Sequence, residues 1–275
     1  MTGFSSLTLG VDGAIAGVSF AHPPMNLLDE AMFADLERLV EWLEAAEEVK
    51  VAVFESADDH FFIAHADLGM LSRMPMPAPQ DVTGPSPHQQ VFARFQRLPQ
   101  LTIGKLRGIA RGGGSEFLLA LDLRYGARET AVLGQPELPL GFPPGCGATQ
   151  RLPRLVGRSH AIEAIMSGRD YNADEAERIG WLTRSMPDAD LDAFVEDLAG
   201  RVASFPKVAI VQAKRAIDAS LAPADAGSAA EFFGFLTAFG QPEAKTRVQK
   251  AMANGFQTRS VERTCLDDWV SCIAP

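Results

Sequence analysis

Three consecutive glycines, Gly112-Gly113-Gly114, separate a strand-like run, Leu101 to Ala110, from the apolar run Phe117 to Leu121, with Ser115 and Glu116 in between. Glycine lets backbone N–H groups approach a ligand without a Cβ in the way, and a helix start carries unpaired donors at the positive end of its dipole. A strand entering a helix through such a turn makes an anion hole, and Glu116 places a proton-transfer group one turn away. The plain alternative is a tight turn followed by an ordinary first-turn acid. The surrounding sequence has to choose between them.

The chain has 275 residues and 47% hydrophobic content, enough for a sizeable buried core. No apolar run approaches the roughly 20 residues that span a bilayer, so no membrane partner is expected. Met1 to Gly10 lacks the basic start and apolar stretch of a signal peptide, and a cytoplasmic location is expected. Cys146, Cys265 and Cys272 are odd in number and lack metal-ligand spacing, so they read as reduced thiols. A net charge of −10 opposes a nucleic-acid partner, because phosphate-backbone affinity comes from clustered Lys and Arg.

Leu7 to Phe20 alternates around Asp12-Gly13 and reads as a hairpin; Val49 to Phe54 reads as a short buried strand. Between them Met32, Phe33, Leu36, Leu39, Val40 and Leu43 recur at helical spacing after Asp29, a suitable N-cap. Ser72 to Pro87 holds five prolines and reads as a long surface loop before a helix near Gln89 to Leu98. Leu101 to Ala110 and Leu123 to Leu133 each read as one strand. This alternation predicts an α/β core with crossover connections. From Ser159 onward the pattern is helical: Ala161 to Ser167, Ala173 to Ile179, Leu191 to Ser204, Val208 to Ser220, Ala229 to Phe239 and Glu243 to Ala253. The helix of Phe232, Phe233, Phe235, Leu236 and Phe239 is apolar on more than one face and needs either the core or a second subunit to cover it. A subunit contact is the favoured cover.

Several segments together resemble the enoyl-CoA hydratase/isomerase, or crotonase, family, and they occur in family order. Phe61-Phe62-Ile63-Ala64-His65-Ala66-Asp67-Leu68 resembles the family's first oxyanion-hole segment, and Gly112-Gly113-Gly114-Ser115-Glu116 its second. Gly134-Gln135-Pro136-Glu137-Leu138 is similar to the segment with the other catalytic carboxylate. Gly145-Cys146-Gly147-Ala148-Thr149-Gln150-Arg151-Leu152 is similar to the glycine-rich loop and its helix, and Pro23-Pro24-Met25-Asn26 fits the early Pro-Pro-x-Asn segment. The likeness runs from about Leu7 to Leu182.

The resemblance implies a crotonase-like α/β spiral of ββα units, with a core over residues 1–198 and a helical C-terminal oligomerisation region over 199–275. It implies homotrimers or dimers of trimers, and an acyl-CoA thioester as ligand. Coenzyme A would enter as part of the substrate, with no separate cofactor and no metal. By position, the N–H groups of Ala66 and Gly113 would hold the thioester oxygen, and Ala64, Ala66, Asp67, Leu68, Gly69 and Gly113 would line the substrate segment. Glu116 and Glu137 would be the two acid/base groups of an enoyl-CoA hydratase. A double-bond isomerase, which typically needs only the Glu137 equivalent, another crotonase-type lyase and a noncatalytic scaffold are the other readings.

Adding water across the 2,3-double bond pushes negative charge onto the thioester oxygen, and two preorganised amides meet that need with little reorganisation. Two carboxylates can then move the protons. His65 departs from the family, which usually has glycine there. It is read as an outward, satisfied histidine, with a narrowed acyl pocket or titration near neutrality as alternatives. His60 stands where a lysine often meets the CoA phosphates, so Arg73, Arg94, Lys105, Arg111 or C-terminal basic residues are candidate replacements, each also readable as a solvated cation.

Overall fold

A computed structural model describes residues 3–218, 232–237 and 239–264. The expected hairpin is present: β1 (Leu7–Asp12) and β2 (Ile15–Phe20) pair antiparallel from Leu7↔Phe20 to Asp12↔Ile15. Helix α1 (Glu30–Ala45) follows, with Asp29 accepting from Met32 N at 2.8 Å and all six periodic apolar residues buried. The next helices are α2 (Leu68–Arg73) and α3 (Pro87–Arg97). Pro87 opens α3 rather than ending the loop, because proline is tolerated at the first helical position and Ser86 with Gln89 completes a capping box.

The two long strands expected at Leu101 to Ala110 and Leu123 to Leu133 are each two strands. β3 (Val51–Ser56), β5 (Leu101–Leu106), β7 (Leu123–Ala127) and β10 (Arg184–Met186) extend the hairpin into a six-stranded sheet, ordered β1-β2-β3-β5-β7-β10 and parallel beyond the hairpin. β4 (Phe61–Ile63), β6 (Ile109–Arg111), β8 (Val132–Gly134) and β9 (Asp170–Asn172) form a second sheet. The chain leaves one sheet for the other at each break. Gly108 makes the clearest such turn: its φ of +69° suits glycine, and a Cβ there would lie 2.3 Å from the His60 carbonyl. Strands β3/β4, β5/β6 and β7/β8 thereby alternate between sheets, α2 follows β4, and α4 (Gly113–Leu119) follows β6. This is an α/β spiral between two sheets, as the resemblance implies.

The stretch beyond Ser159 is less uniformly helical than its pattern, because β9 and β10 close the two sheet edges. Otherwise it carries α5 (Ala148–Ser167), kinked at Gly157, α6 (Ala173–Ile179), α7 (Asp188–Ala203), α8 (Lys207–Asp218) and the helix Pro242–Ala253. The aromatic segment is helical over 232–237, and its cover comes from within the chain: Phe235, Leu236 and Phe239 pack with Leu68, Leu140, Phe142, Val248 and Phe256. The favoured subunit contact is therefore not needed for that face, although Phe233 is exposed. Cys265 and Cys272 lie outside the described residues.

Phe117 of α4 sits at the centre of the main core, with its ring edge-on to Phe20, Phe54, Phe92 and Phe95 at centroid distances of 5.1–5.6 Å. The turn before α4 is thus anchored to the aromatic part of the main core. At the other end of the core, Asp35 of α1 is 1% exposed and its Oδ2 accepts from the backbone and hydroxyl of Ser5 and Ser6, while Arg38 caps the other oxygen. Burial raises its pKa, but Arg38 and the two serines outweigh that and hold it at about 2. A lowered folded pKa gives stability that is present above the unfolded value and is lost as pH falls through the folded one. Asp35→Asn is expected to cost about 2 kcal/mol at neutral pH by that linkage. Urea melts should show the gap between wild type and variant closing as pH falls from about 4 to 2.

Candidate active site

The first segment of the site is held on three sides. Asn26 is buried and its Nδ2 donates to Ser56 Oγ and to the carbonyls of Phe61 and Phe62, tying down β4. Leu28 N donates to His65 O and Asp67 N to Leu28 O, both at 2.9 Å, and Arg111 N donates to Ala64 O at 3.0 Å. The second segment is the turn into α4. Gly112 has a φ of +48° and its N–H donates to Gly134 O at 2.9 Å. A Cβ placed on Gly113 would lie 3.6 Å from Ala66 N, so the two segments are in contact. Among the described residues, neither Ala66 N–H nor Gly113 N–H donates to a protein acceptor.

Both glutamates are buried beside this turn, Glu116 at 2% exposure and Glu137 at 7%. Glu116 Oε1 accepts from Cys146 N at 2.8 Å and Ala148 N at 2.9 Å, so the glycine-rich loop before α5 orients the carboxylate through main chain. Glu137 comes from the segment after β8, and its Oε1 would lie 2.8 Å from a Cβ on Gly112. In the amide orientation that satisfies both ends, Gln135 Nε2 donates to Glu137 Oε1 and Oε2 at 3.2 and 3.1 Å. Its own oxygen then accepts from Ser115 Oγ at 3.2 Å. Gln135 therefore joins the residue beside Glu116 to Glu137.

The remaining residues of the first segment hold structural positions. Asp67 caps α2 by accepting from Met70 N at 2.6 Å, Gly69 packs beside Asp67 and Arg73, and Ala64 is buried between β6 and Met25. Leu68 enters the C-terminal aromatic cluster. A groove of about 470 Å³ lined by Leu138, Gly141, Phe142, Gln241, Ala244 and Arg247 borders the Glu137 loop. A second cavity of about 350 Å³ is lined in part by Leu121, Arg124, Arg151 and Lys214 and by neither glutamate. Among the described residues no cluster of His, Cys, Asp and Glu could hold a metal ion.

Two expectations need correction. His65 does not point outward: it is 4% exposed, stacks on Phe256 at 4.6 Å, and bonds Glu262 Oε1 at 2.8 Å. Arg111 is not a solvated cation but 1% exposed, with a two-pronged bond to Asp170 at 2.6 and 2.8 Å. The other cations named as phosphate partners are paired within the chain, Arg73 with Glu30, Arg94 with Glu44, and Lys105 with Glu55 and Asp192.

The chain matches the enoyl-CoA hydratase/isomerase family model over residues 10–259. It belongs to that family. A provisionally named enoyl-CoA hydratase structure from Streptomyces avermitilis is 38% identical, covers 98% of each chain and superposes with a TM-score of 0.90. The short-chain-enoyl-CoA hydratase of Clostridium acetobutylicum is 30% identical over 263 residues, covering 93% of this chain and 99% of that protein. The structure of an enoyl-CoA hydratase from Bacillus anthracis is 26% identical, with a TM-score of 0.73 over 91% of this chain and 96% of that one. The crotonase fold and family read from the five motifs therefore hold.

Four groups beside this crotonase-type turn escaped the sequence reading: Gln135, the Cys146 and Ala148 amides, and Glu262. Gly145 and Gly147 did mark a loop built for close backbone approach. Nothing in the local sequence marks Glu262, which reaches the site only through the return of the C-terminal helices.

Proposed function

We propose that this crotonase-family protein hydrates the 2,3-double bond of an enoyl-CoA thioester. The reading is supported above all by one observation: the amides of Ala66 and Gly113, which donate to no acceptor among the described residues, meet at a turn flanked by two buried glutamates. In this proposal the thioester oxygen accepts from both N–H groups. Glu116 takes a proton from water, the water oxygen bonds to C3, and the C2=C3 electrons move toward the thioester oxygen as an enolate. Glu137 then gives a proton to C2, and the enolate collapses to the 3-hydroxyacyl thioester. The two glutamates exchange roles in the reverse direction. In comparable sites one lost oxyanion donor costs about 3–4 kcal/mol of transition-state stabilisation.

Ala64, Asp67, Leu68 and Gly69 line the entry of the acyl thioester in the same proposal, through backbone and apolar contact. The test is loss of the enoyl-thioester absorbance with crotonyl-CoA and with longer, dienoyl- and aromatic acyl-CoAs, monitored alongside double-bond migration. Hydration of at least one substrate is expected. Absence of hydration across the panel, or full turnover in a Glu116→Gln/Glu137→Gln double variant, would remove the assignment.

We also propose that residues 199–275 organise homotrimers or dimers of trimers. In support, α8 exposes Val208 and Ile217 and has no buried residue of its own. Light scattering that finds only monomer at micromolar concentration would count against it.

A further inference from the structure

His65 stands one residue before the Ala66 donor, and Arg111 two residues before the Gly113 donor. Both reach the same side chain. His65 Nε2 meets Glu262 Oε1 at 2.8 Å, while Arg111 Nη1 donates to Glu262 O at 3.0 Å and lies 3.5 Å from Glu262 Oε2. Glu262 ends the short helix Arg259–Glu262, is 0% exposed, and also accepts from Gln257 N at 2.8 Å. One carboxylate from the C-terminal end of the described chain thus joins the two segments that supply the amides.

The ring of His65 is engaged at both nitrogens. Nδ1 lies 2.9 Å from Ala66 O, a carbonyl that only accepts, and Nε2 faces a carboxylate that only accepts when ionised. Satisfying both requires the imidazolium. Ala66 O belongs to the residue whose N–H is the proposed donor, so fixing that carbonyl restricts the backbone angles of Ala66 and with them the direction of the N–H. Leu28 holds the peptide groups on either side of Ala66.

We propose that His65, held as an imidazolium by Glu262, which Arg111 in turn anchors, is a positioning residue that sets the Ala66 donor against the Gly113 donor. The proposal rests on the oxyanion role assigned to those two amides. It also accounts for the departure from the family's glycine at position 65: the added side chain carries a contact from the C-terminal helices into the site.

The charged groups around His65 are Glu262 from the C-terminal helix, Arg111 from β6, Asp170 from β9 bound to Arg111, and Glu137 across Gly112. Arg259 on the same short helix is turned away to Asp58 and Pro24 O. Burial disfavours the His65 charge, but Glu262 outweighs it and raises the pKa above the ordinary imidazole value. Burial likewise raises the Glu262 pKa, and His65 outweighs that and lowers it. The pair is therefore intact above the folded pKa of Glu262 and is lost as pH rises through the raised pKa of His65.

The experiment compares wild type with His65→Gln and Glu262→Gln, reading kcat and KM for crotonyl-CoA against pH, the melting temperature, and the enolate absorbance of bound acetoacetyl-CoA. That 3-oxoacyl thioester carries real negative charge on its oxygen once ionised, and so reports the donors without proton transfer by the glutamates. At neutral pH His65→Gln should lower kcat about tenfold with KM within about twofold, as a misplaced donor would. It should also lose the alkaline decline in kcat assigned to His65 and weaken enolate binding. If Glu262→Gln fails to fold, His65→Gln alone decides. Wild-type kcat, pH profile and enolate binding in a folded His65→Gln variant would overturn the proposal, as would a fall in melting temperature with those readouts unchanged. Where Glu116→Gln is inactive in the same series, that failure leaves the hydratase reading standing. A wild type with no turnover on any member of the acyl-CoA panel and no enolate band would instead sink that reading and this inference together.

Discussion

Glu116→Gln is expected to lower kcat for enoyl-CoA hydration about a thousandfold, within the range that loss of a general base produces. KM and the melting temperature should barely change. The glutamine is isosteric, and its oxygen can still accept from the Cys146 and Ala148 amides that orient the native carboxylate. The loss would then report missing proton transfer and not a collapsed loop. Glu137→Gln should fall by a similar factor, with the Gln135 contact only partly replaced, because an amide at 137 offers one accepting oxygen where the carboxylate offers two. If the two acids work on one reacting unit, the double variant should be little slower than either single variant. Rapid-mixing absorbance traces check all three. A Glu116→Gln enzyme within tenfold of wild type would remove Glu116 from the proposed chemistry.

Gly113→Ala and Gly114→Ala differ by one residue and should fail for different reasons. A methyl on Gly113 would meet Leu28 Cδ1 at 2.7 Å, a flexible side-chain end that can shift, while lying 3.6 Å from Ala66 N. That variant should fold. Its methyl crowds the place where a thioester oxygen would sit, and kcat should drop about a hundredfold, comparable to losing one oxyanion donor. A methyl on Gly114 would lie 2.0 Å from Ile63 O and 2.9 Å from Ile63 C, both backbone atoms of β4. No rotamer relieves that contact, so α4 must move away from the strand and drag Phe117 out of its aromatic cage. Gly114→Ala is expected to lose several kcal/mol of stability, by analogy with other overpacked cores. Circular dichroism melts with activity per folded molecule separate the two. Equal activity loss at unchanged stability in both variants would contradict this account.

Much of the scaffold was legible because its signals are local. Helix α1 announced itself by spacing and by Asp29, and the hairpin by Asp12-Gly13. The glycine run, the Gln-Pro-Glu segment and the glycine-rich loop each carried a recognisable pattern in the right order. Strand breaks at Gly108 and near Thr130 were passed over although Arg107-Gly108 and Arg128-Glu129-Thr130 interrupt the apolar runs, since only a second sheet gives the break its purpose. Strands β9 and β10 were hidden for the same reason: three residues are too few to set a period.

The amino-acid order by itself determined an alternating α/β core, because turn chemistry and side-chain periodicity act over a few neighbouring residues, while the resemblance of five motifs to the crotonase family pointed to the fold, the family and the segments that meet at the glycine turn. Tertiary structure decided what those segments touch. It turned His65 inward, withdrew Arg111 from solvent and brought Glu262 against both, a contact spanning 197 positions. It also set Gln135 between Ser115 and Glu137. The Glu262 pairings depend on how the C-terminal helices return to the site and the Gln135 pairing on how the segment after β8 meets the glycine turn, and burial then makes unpaired charge too costly to leave unanswered.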